Sequence, residues 1–330
     1  MQGKALAASR LKRRAKRTRP SEIALPKVIF IVGATAAGKT ALGIFLAQQF
    51  HGEIINADAR QVYKHLTIGT GKPPDGTSDR YLGHRTYMVQ GIPHYFMDFL
   101  SPNKVYTVAS WRKQAFKAIN GITRRDHMPI VVGGTGLYIQ SMVDNYQIPS
   151  VPPQDHFRKA MESKSLDELV RLLKNVDPDA INIVDLKNRR RVIRAMEVVT
   201  FTGKPFSAQR ARSAPIVNPL MIGIRRTKEE LHARIETTIR QMVDQGWAQE
   251  IRMLRKRGVP WDAPAMSSIG YREMSAYVRG ECTLEEAIQN ILRATRQYAK
   301  RQITWFKRDK RVHWVKDESE AMALVKQWLI

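Results

Sequence analysis

Short β-branched and apolar runs alternate with stretches of helical periodicity through the first half of the chain. Val28 to Val32, Glu53 to Asn56 and Ile130 to Val132 read as strands, while Ala41 to Ala47, Trp111 to Asn120 and Leu137 to Val143 read as helices. Strands separated by helices predict a parallel sheet with crossover connections. The pattern changes at a proline-rich hinge, Pro149 to Pro153, after which Phe157 to Lys174 and Lys187 to Phe201 keep helical spacing with no strand between them. Leu220 to Ile224 then returns as a strand, followed by long helical patterns over Lys228 to Gln245, Ala248 to Arg257 and Leu284 to Phe306.

The first strand runs directly into Gly33-Ala34-Thr35-Ala36-Ala37-Gly38-Lys39-Thr40, the spaced Gly, Gly-Lys-Thr pattern of a phosphate-binding loop. Gly33 and Gly38 permit backbone angles that turn successive N–H groups toward phosphate oxygens. Lys39 adds a point charge, and Thr40 offers a hydroxyl to a magnesium ion. Strand, loop and helix together predict an α/β fold: a P-loop NTPase-like parallel sheet flanked by helices, built from residues 23–148 and 216–330. An all-helical insertion occupies 149–215, and a basic arm, expected to be disordered, occupies 1–22.

Composition sharpens this picture. The 330 residues carry 55 Lys and Arg against 30 Asp and Glu, a formal charge of +25, which implies a polyanionic partner. Lys4, Arg10, Lys12, Arg13, Arg14, Lys16, Arg17 and Arg19 precede Pro20 with no acidic residue among them. That arm lacks the apolar core of a secretory signal, so the cytoplasm is the expected compartment. No apolar run is long enough to span a bilayer. The single cysteine, Cys282, excludes an intramolecular disulfide and any cysteine-based zinc site.

A P-loop alone marks nucleotide-binding and ATP-binding proteins in general. Nucleotide hydrolases place an aspartate at the end of a later strand, but Ile130-Val131-Val132 ends in Gly133-Gly134-Thr135-Gly136. The carboxylate of interest is Asp58, which follows Ile54-Ile55-Asn56-Ala57 at a strand's carboxyl end, the side that faces the ligand crevice in an open parallel sheet. It is placed either as a general base or as a magnesium-side or helix-capping aspartate. The Gly133 to Gly136 turn supplies further N–H groups beside the same crevice, or is a geometric necessity only.

Seven blocks occur in order. Beside the P-loop they are Asn56-Ala57-Asp58-Ala59-Arg60-Gln61-Val62-Tyr63-Lys64, Ile68 to Pro73, Val132 to Tyr138, Asn188-Arg189-Arg190-Arg191-Val192 to Glu197, Ser268-Ile269-Gly270-Tyr271-Arg272-Glu273 and Thr295 to Phe306. Together they closely resemble the tRNA dimethylallyltransferase (tRNA isopentenyltransferase) family in its bacterial form, over about Val28 to Val315. The resemblance implies a prenyltransferase whose P-loop holds dimethylallyl diphosphate with Mg2+, and whose acceptor is the exocyclic amine of the adenosine 3′ of the anticodon.

By the same resemblance, Asp58 is the general base, Lys39 and Arg234 contact the diphosphate, Thr40 is the magnesium-side hydroxyl, and Thr135 lies at the reacting adenosine. Asp58, Arg60, Gln61, Tyr63, Asn188, Arg189, Arg190, Arg191, Val192, Ile269, Gly270, Tyr271 and Arg272 fall on tRNA-binding positions. The anticodon stem-loop is expected to be clasped between core and insertion by a monomer, with Arg293, Arg296, Lys300 and Lys307 adding charge along one helix face. Tyr63 and Tyr271 either stack on loop bases or pack in the core. Ala34, Ala37 and Ala59 depart from the family's usual proline, serine and serine. Two rivals remain: a small-molecule kinase or adenylate prenyltransferase, and a non-catalytic RNA-binding protein.

Overall fold

The computed structural model describes residues 24–146, 149, 151–208 and 213–330, so the basic arm expected over 1–22 lies outside the described residues. Eight strands form one sheet: β1 (Lys27–Val32), β2 (Gly52–Asn56), β3 (Thr77–Tyr81), β4 (His84–Val89), β5 (Ile92–Tyr95), β6 (Met128–Val132), β7 (Asn218–Ile224) and β8 (Val312–Val315). Their order is β3-β4-β5-β2-β6-β1-β7-β8. From β5 to β8 every neighbouring pair is parallel, with β1 at the centre between β6 and β7.

The sheet is therefore mainly parallel, as expected, with an antiparallel edge that the expectation did not include. β4 pairs antiparallel with both β3 and β5. Leu82-Gly83 and Gln90-Gly91 make the two tight turns, all four residues at positive φ (50°, 79°, 50° and 77°), as two-residue hairpins require. Leu and Gln at the first turn position and a largely exposed Thr-Ser-Asp-Arg-Tyr strand leave little hairpin signal to read.

Alternation along the central strands fills two layers. Ile29, Ile31, Ile54, Ile130, Leu220 and Ile222 face one side, Val28, Phe30, Ile55, Val131 and Met221 the other. The first face is covered by α1 (Lys39–Gln49) and by a later group of helices. These are α7 (Lys228–Asp244), α8 (Trp247–Lys256), α9 (Tyr271–Val278), α10 (Leu284–Lys307) and α11 (Glu318–Leu329). Opposite them, α2 (Val108–Thr123) buries Trp111, Ala115, Ile119 and Ile122, and α3 (Gly136–Val143) packs beside it. Capping boxes at Thr227/Glu230 and Thr283/Glu286 fix where α7 and α10 begin.

Between β6 and β7 lie α4 (Asp155–Glu162), α5 (Leu166–Val176) and α6 (Arg189–Thr202), with a core of their own: Leu169, Leu173, Ala180, Val184, Val192, Ile193, Ala195 and Met196. The single helical pattern expected over Phe157 to Lys174 is broken, because Ser165 accepts from the Glu168 N–H and starts a new helix. Glu197 is fully buried on α6 and ties the segment together, accepting from Arg158, Arg194 and the Gln154 N–H. Burial pushes its pKa up, but these hydrogen bonds outweigh burial and hold it at about 2.

Candidate active site

The loop from Gly33 to Gly38 joins the central strand to α1, and it needs its glycines. Gly33 and Gly38 sit at φ 134° and 106°, and Ala36 between them at φ 59°. Lys39 opens α1 and folds back to donate to the Ala34 carbonyl at 2.6 Å. Desolvation beneath the loop lowers the Lys39 pKa to about 8, with the Asp58 carboxylate working in the opposite direction. Two guanidiniums flank the loop. Arg234 donates through Nε to the Ala36 carbonyl at 2.8 Å, and Arg226 reaches the Ala37 carbonyl at 3.4 Å. A Cβ on Gly38 would stand 3.8 Å from Nη2 of Arg234 and 4.0 Å from Nη2 of Arg226.

Across the crevice, β2 ends in Asn56 and the chain turns sharply. The Asp58 N–H donates to Asn56 Oδ1 at 3.0 Å, and Asp58 Oδ1 accepts from the Arg60 N–H at 2.8 Å. This local turn holds the carboxylate at the strand's carboxyl end. Its field is felt by Lys39, Tyr138 and Tyr298. Burial first, and Asp58 second, raise the Tyr298 pKa to about 12, so that phenol stays protonated.

Thr135 binds the Asp58 turn to the end of β6: its hydroxyl accepts from the Ala59 N–H at 3.1 Å, and its N–H donates to the Ala57 carbonyl at 3.2 Å. The glycines around it are explained by crowding. A Cβ on Gly133 would lie 2.2 Å from the Ala57 carbonyl oxygen, on Gly134 2.0 Å from Gln302 Nε2, and on Gly136 2.4 Å from Trp305 Nε1. Of the two readings open for that turn, close approach is the one the structure supports directly.

The remaining expected residues divide. Arg190, Arg191 and Arg272 are exposed. Arg60 donates to Pro264 O and Ser267 Oγ, and Gln61 to the carbonyls of Thr70 and Gly71. Asn188 caps α6, and Arg189 binds the carbonyls of Met161, Glu162 and Lys164. Tyr63, Val192 and Tyr271 are buried, at 4%, 0% and 0% exposure, and of the two readings open for the tyrosines this burial favours core packing. Tyr271 donates to Glu250 at 2.5 Å and meets Trp247 edge-on, and Gly270 is glycine because a Cβ would fall 2.1 Å from that indole. Along α10, Arg293, Lys300 and Lys307 are exposed, while Arg296 pairs with Glu236 at 3.3 Å.

Sequence reasoning passed over Arg226, Tyr298 and Gln302 as individual site residues. Gln302 had a readable signal, a polar residue in the register of Ile288, Ile291, Leu292, Ala299 and Phe306 on the apolar stripe of α10.

A phosphate loop beside a strand-end carboxylate, with the neighbouring strand β6 ending in Gly133-Gly134 and not in an aspartate, is the arrangement of a P-loop group-transferase. The comparisons name which kind. The IPP transferase family profile matches residues 61–309, and that of isopentenyl transferases matches 26–93. A tRNA dimethylallyltransferase from Anoxybacillus flavithermus is 41% identical over 87% of this chain and 89% of its own, and one from Thermomicrobium roseum is 39% identical over 87% and 85%. The crystal structure of the Bacillus halodurans tRNA isopentenylpyrophosphate transferase superposes with TM-score 0.65 at 33% identity, covering 92% of this chain and 95% of that one. A eukaryotic dimethylallyltransferase acting on tRNA gives TM-score 0.72 at 29% identity, over 92% and 77%. The chain belongs to the tRNA dimethylallyltransferase family.

Proposed function

We propose that the protein transfers the dimethylallyl group of dimethylallyl diphosphate to the exocyclic amine of the adenosine 3′ of the anticodon in tRNA. The observation that carries the reading is that the phosphate loop and the Asp58 turn leave the carboxyl ends of β1 and β2, which flank β6 in the parallel sheet, so that a proton acceptor and a phosphate cradle share one edge of that sheet. The amine nitrogen forms a bond to the allylic carbon, the carbon–oxygen bond breaks, and its electron pair leaves with diphosphate. The amine proton passes to the Asp58 carboxylate. Diphosphate gains charge as it departs, so Lys39, the loop N–H groups and Arg234 stabilise the transition state more than the bound donor.

Among the described residues, no group of three or more His, Cys, Asp or Glu could hold a metal unaided. The Thr40 hydroxyl would be the protein's contribution to a Mg2+ ion held chiefly by the substrate diphosphate. Bound there, Mg2+ supplies charge neutralisation for the leaving group. The insertion over 149–215 and the exposed arginines Arg190 and Arg191 serve the tRNA stem, whose phosphates need charge but no base reading. Among the described residues no helix is long and apolar enough to cross a membrane.

The test incubates the protein with labelled dimethylallyl diphosphate, Mg2+ and either tRNA or AMP. Label in tRNA is expected, and label in AMP alone would replace this reading with the small-molecule one.

A further inference from the structure

Gln302 is 5% exposed, and both ends of its amide are satisfied by backbone from different loops. Oε1 accepts from the Thr35 N–H of the phosphate loop at 2.8 Å, while Nε2 donates to the Gly134 carbonyl at 2.9 Å. An apolar side chain would fill this position on α10 without the desolvation that an amide incurs. What the amide adds is a bridge between the loop after β1 and the loop after β6. The residue after Gly134 is Thr135, which holds the Ala59 N–H, one residue from Asp58. Leaving-group loop, Gln302, Gly134-Thr135 and Asp58 turn thus form one continuous series of contacts.

The contact is tight as well as bonded, because a Cβ on Gly134 would overlap Gln302 Nε2 at 2.0 Å. The two loops are held at one amide's length from each other. In a displacement reaction the donor carbon must lie in line between the leaving oxygen and the amine, and an error of an ångström costs about 10²-fold in rate.

We infer that Gln302 is a positioning residue that sets the spacing between the diphosphate loop and the acid–base turn. The inference rests on the prenyl-transfer reading above. It predicts an effect on kcat with little effect on the binding of either substrate, since both polar ends of the amide are taken up by backbone groups of the protein.

The experiment uses the full chain, tRNA and dimethylallyl diphosphate, and compares wild type with Gln302→Met and Gln302→Glu at pH 6.0 and 8.5. Gln302→Met has nearly the same shape and neither hydrogen bond. Its kcat should fall roughly tenfold or more at both pH values, with donor KM and tRNA KM each within about threefold of wild type. Gln302→Glu discriminates. A protonated carboxyl can still accept from Thr35 and donate to Gly134, whereas an ionised one turns a negative oxygen on the Gly134 carbonyl and drives the loops apart. Its kcat relative to wild type should therefore rise severalfold from pH 8.5 to 6.0, while the Gln302→Met ratio stays flat.

A role in stability alone would lower the folded fraction and leave kcat per folded enzyme at the wild-type value in both variants. A Gln302→Met enzyme with wild-type kcat, or a Gln302→Glu ratio that does not move with pH, overturns the assignment, including the case in which the variant fails at both. Wild type that labels no tRNA overturns the functional reading instead.

Discussion

Asp58→Asn is the sharpest perturbation of the proposed chemistry, because the structure says what it preserves. Asp58 Oδ1 accepts from the Arg60 N–H at 2.8 Å, and an asparagine carbonyl can accept in the same place, so the turn survives. What disappears is a proton acceptor and a charge. Loss of a positioned base costs about 10² to 10⁴ in rate, at least ~2.7 kcal/mol of transition-state stabilisation. The lost charge acts on Lys39, whose pKa of about 8 is already lowered by burial and is supported by Asp58. Without that support it falls further, so donor binding by the variant should weaken at a lower pH than in wild type. Single-turnover transfer of labelled donor at pH 7 measures the first effect, and donor affinity at pH 7 and 8.5 the second. Near-normal single-turnover rates would remove Asp58 from the mechanism, and an unchanged pH dependence of donor affinity would uncouple it from Lys39.

Other expectations follow from the same geometry. Lys39 is protonated below about pH 8 and loses its proton as the pH rises through that value, so donor binding at pH 8.5 should take up protons and weaken further at pH 9; calorimetry in buffers of different ionisation enthalpy reads this, and zero uptake contradicts it. Glu197→Gln breaks a buried carboxylate's pairing with Arg158 and Arg194, costing about 3 kcal/mol in urea unfolding at pH 7. The fall from an ordinary 4.5 to about 2 in the folded protein corresponds to a similar ~3 kcal/mol. That stability is complete above pH 4.5 and lost as the pH falls toward 2, so wild type and variant should converge in acid, and a constant gap would refute the pairing. Deleting residues 1–20 removes eight cationic side chains. The slope of log tRNA affinity against log salt should flatten by roughly 0.7 to 0.9 for each lost phosphate contact, leaving turnover at saturating tRNA unchanged; an unaltered slope assigns the arm no RNA contact.

The parts of the molecule that were legible are those where one physical requirement dictates residue type. A phosphate cradle demands Gly33, Gly38, Lys39 and Thr40 at fixed spacing, and central strands buried on both faces demand runs such as Val28 to Val32. The β3–β5 hairpins escaped because β3 is an exposed edge whose Thr-Ser-Asp-Arg-Tyr carries no alternation. At the site, charge and motif position could not separate side chains that reach solvent from those that bind the chain itself. Arg189 and Arg190 are adjacent, yet one is spent on three carbonyls and the other is exposed. Tyr271 sits in a motif block as a core residue, held by Glu250 and Trp247 from the preceding α-helix. Gln302 bridges residues more than 160 positions away, a distance no local pattern spans.

The central claim is that the P-loop holds a prenyl diphosphate for transfer to tRNA and does not drive phosphoryl transfer. The most direct measurement offers the wild-type protein equal concentrations of labelled dimethylallyl diphosphate and ATP, with Mg2+ and tRNA, and follows both prenylated adenosine and released phosphate. Prenyl label in the anticodon loop, with release of one diphosphate per label and no faster hydrolysis of ATP, is the result predicted. ATP hydrolysis outrunning prenyl transfer would contradict it.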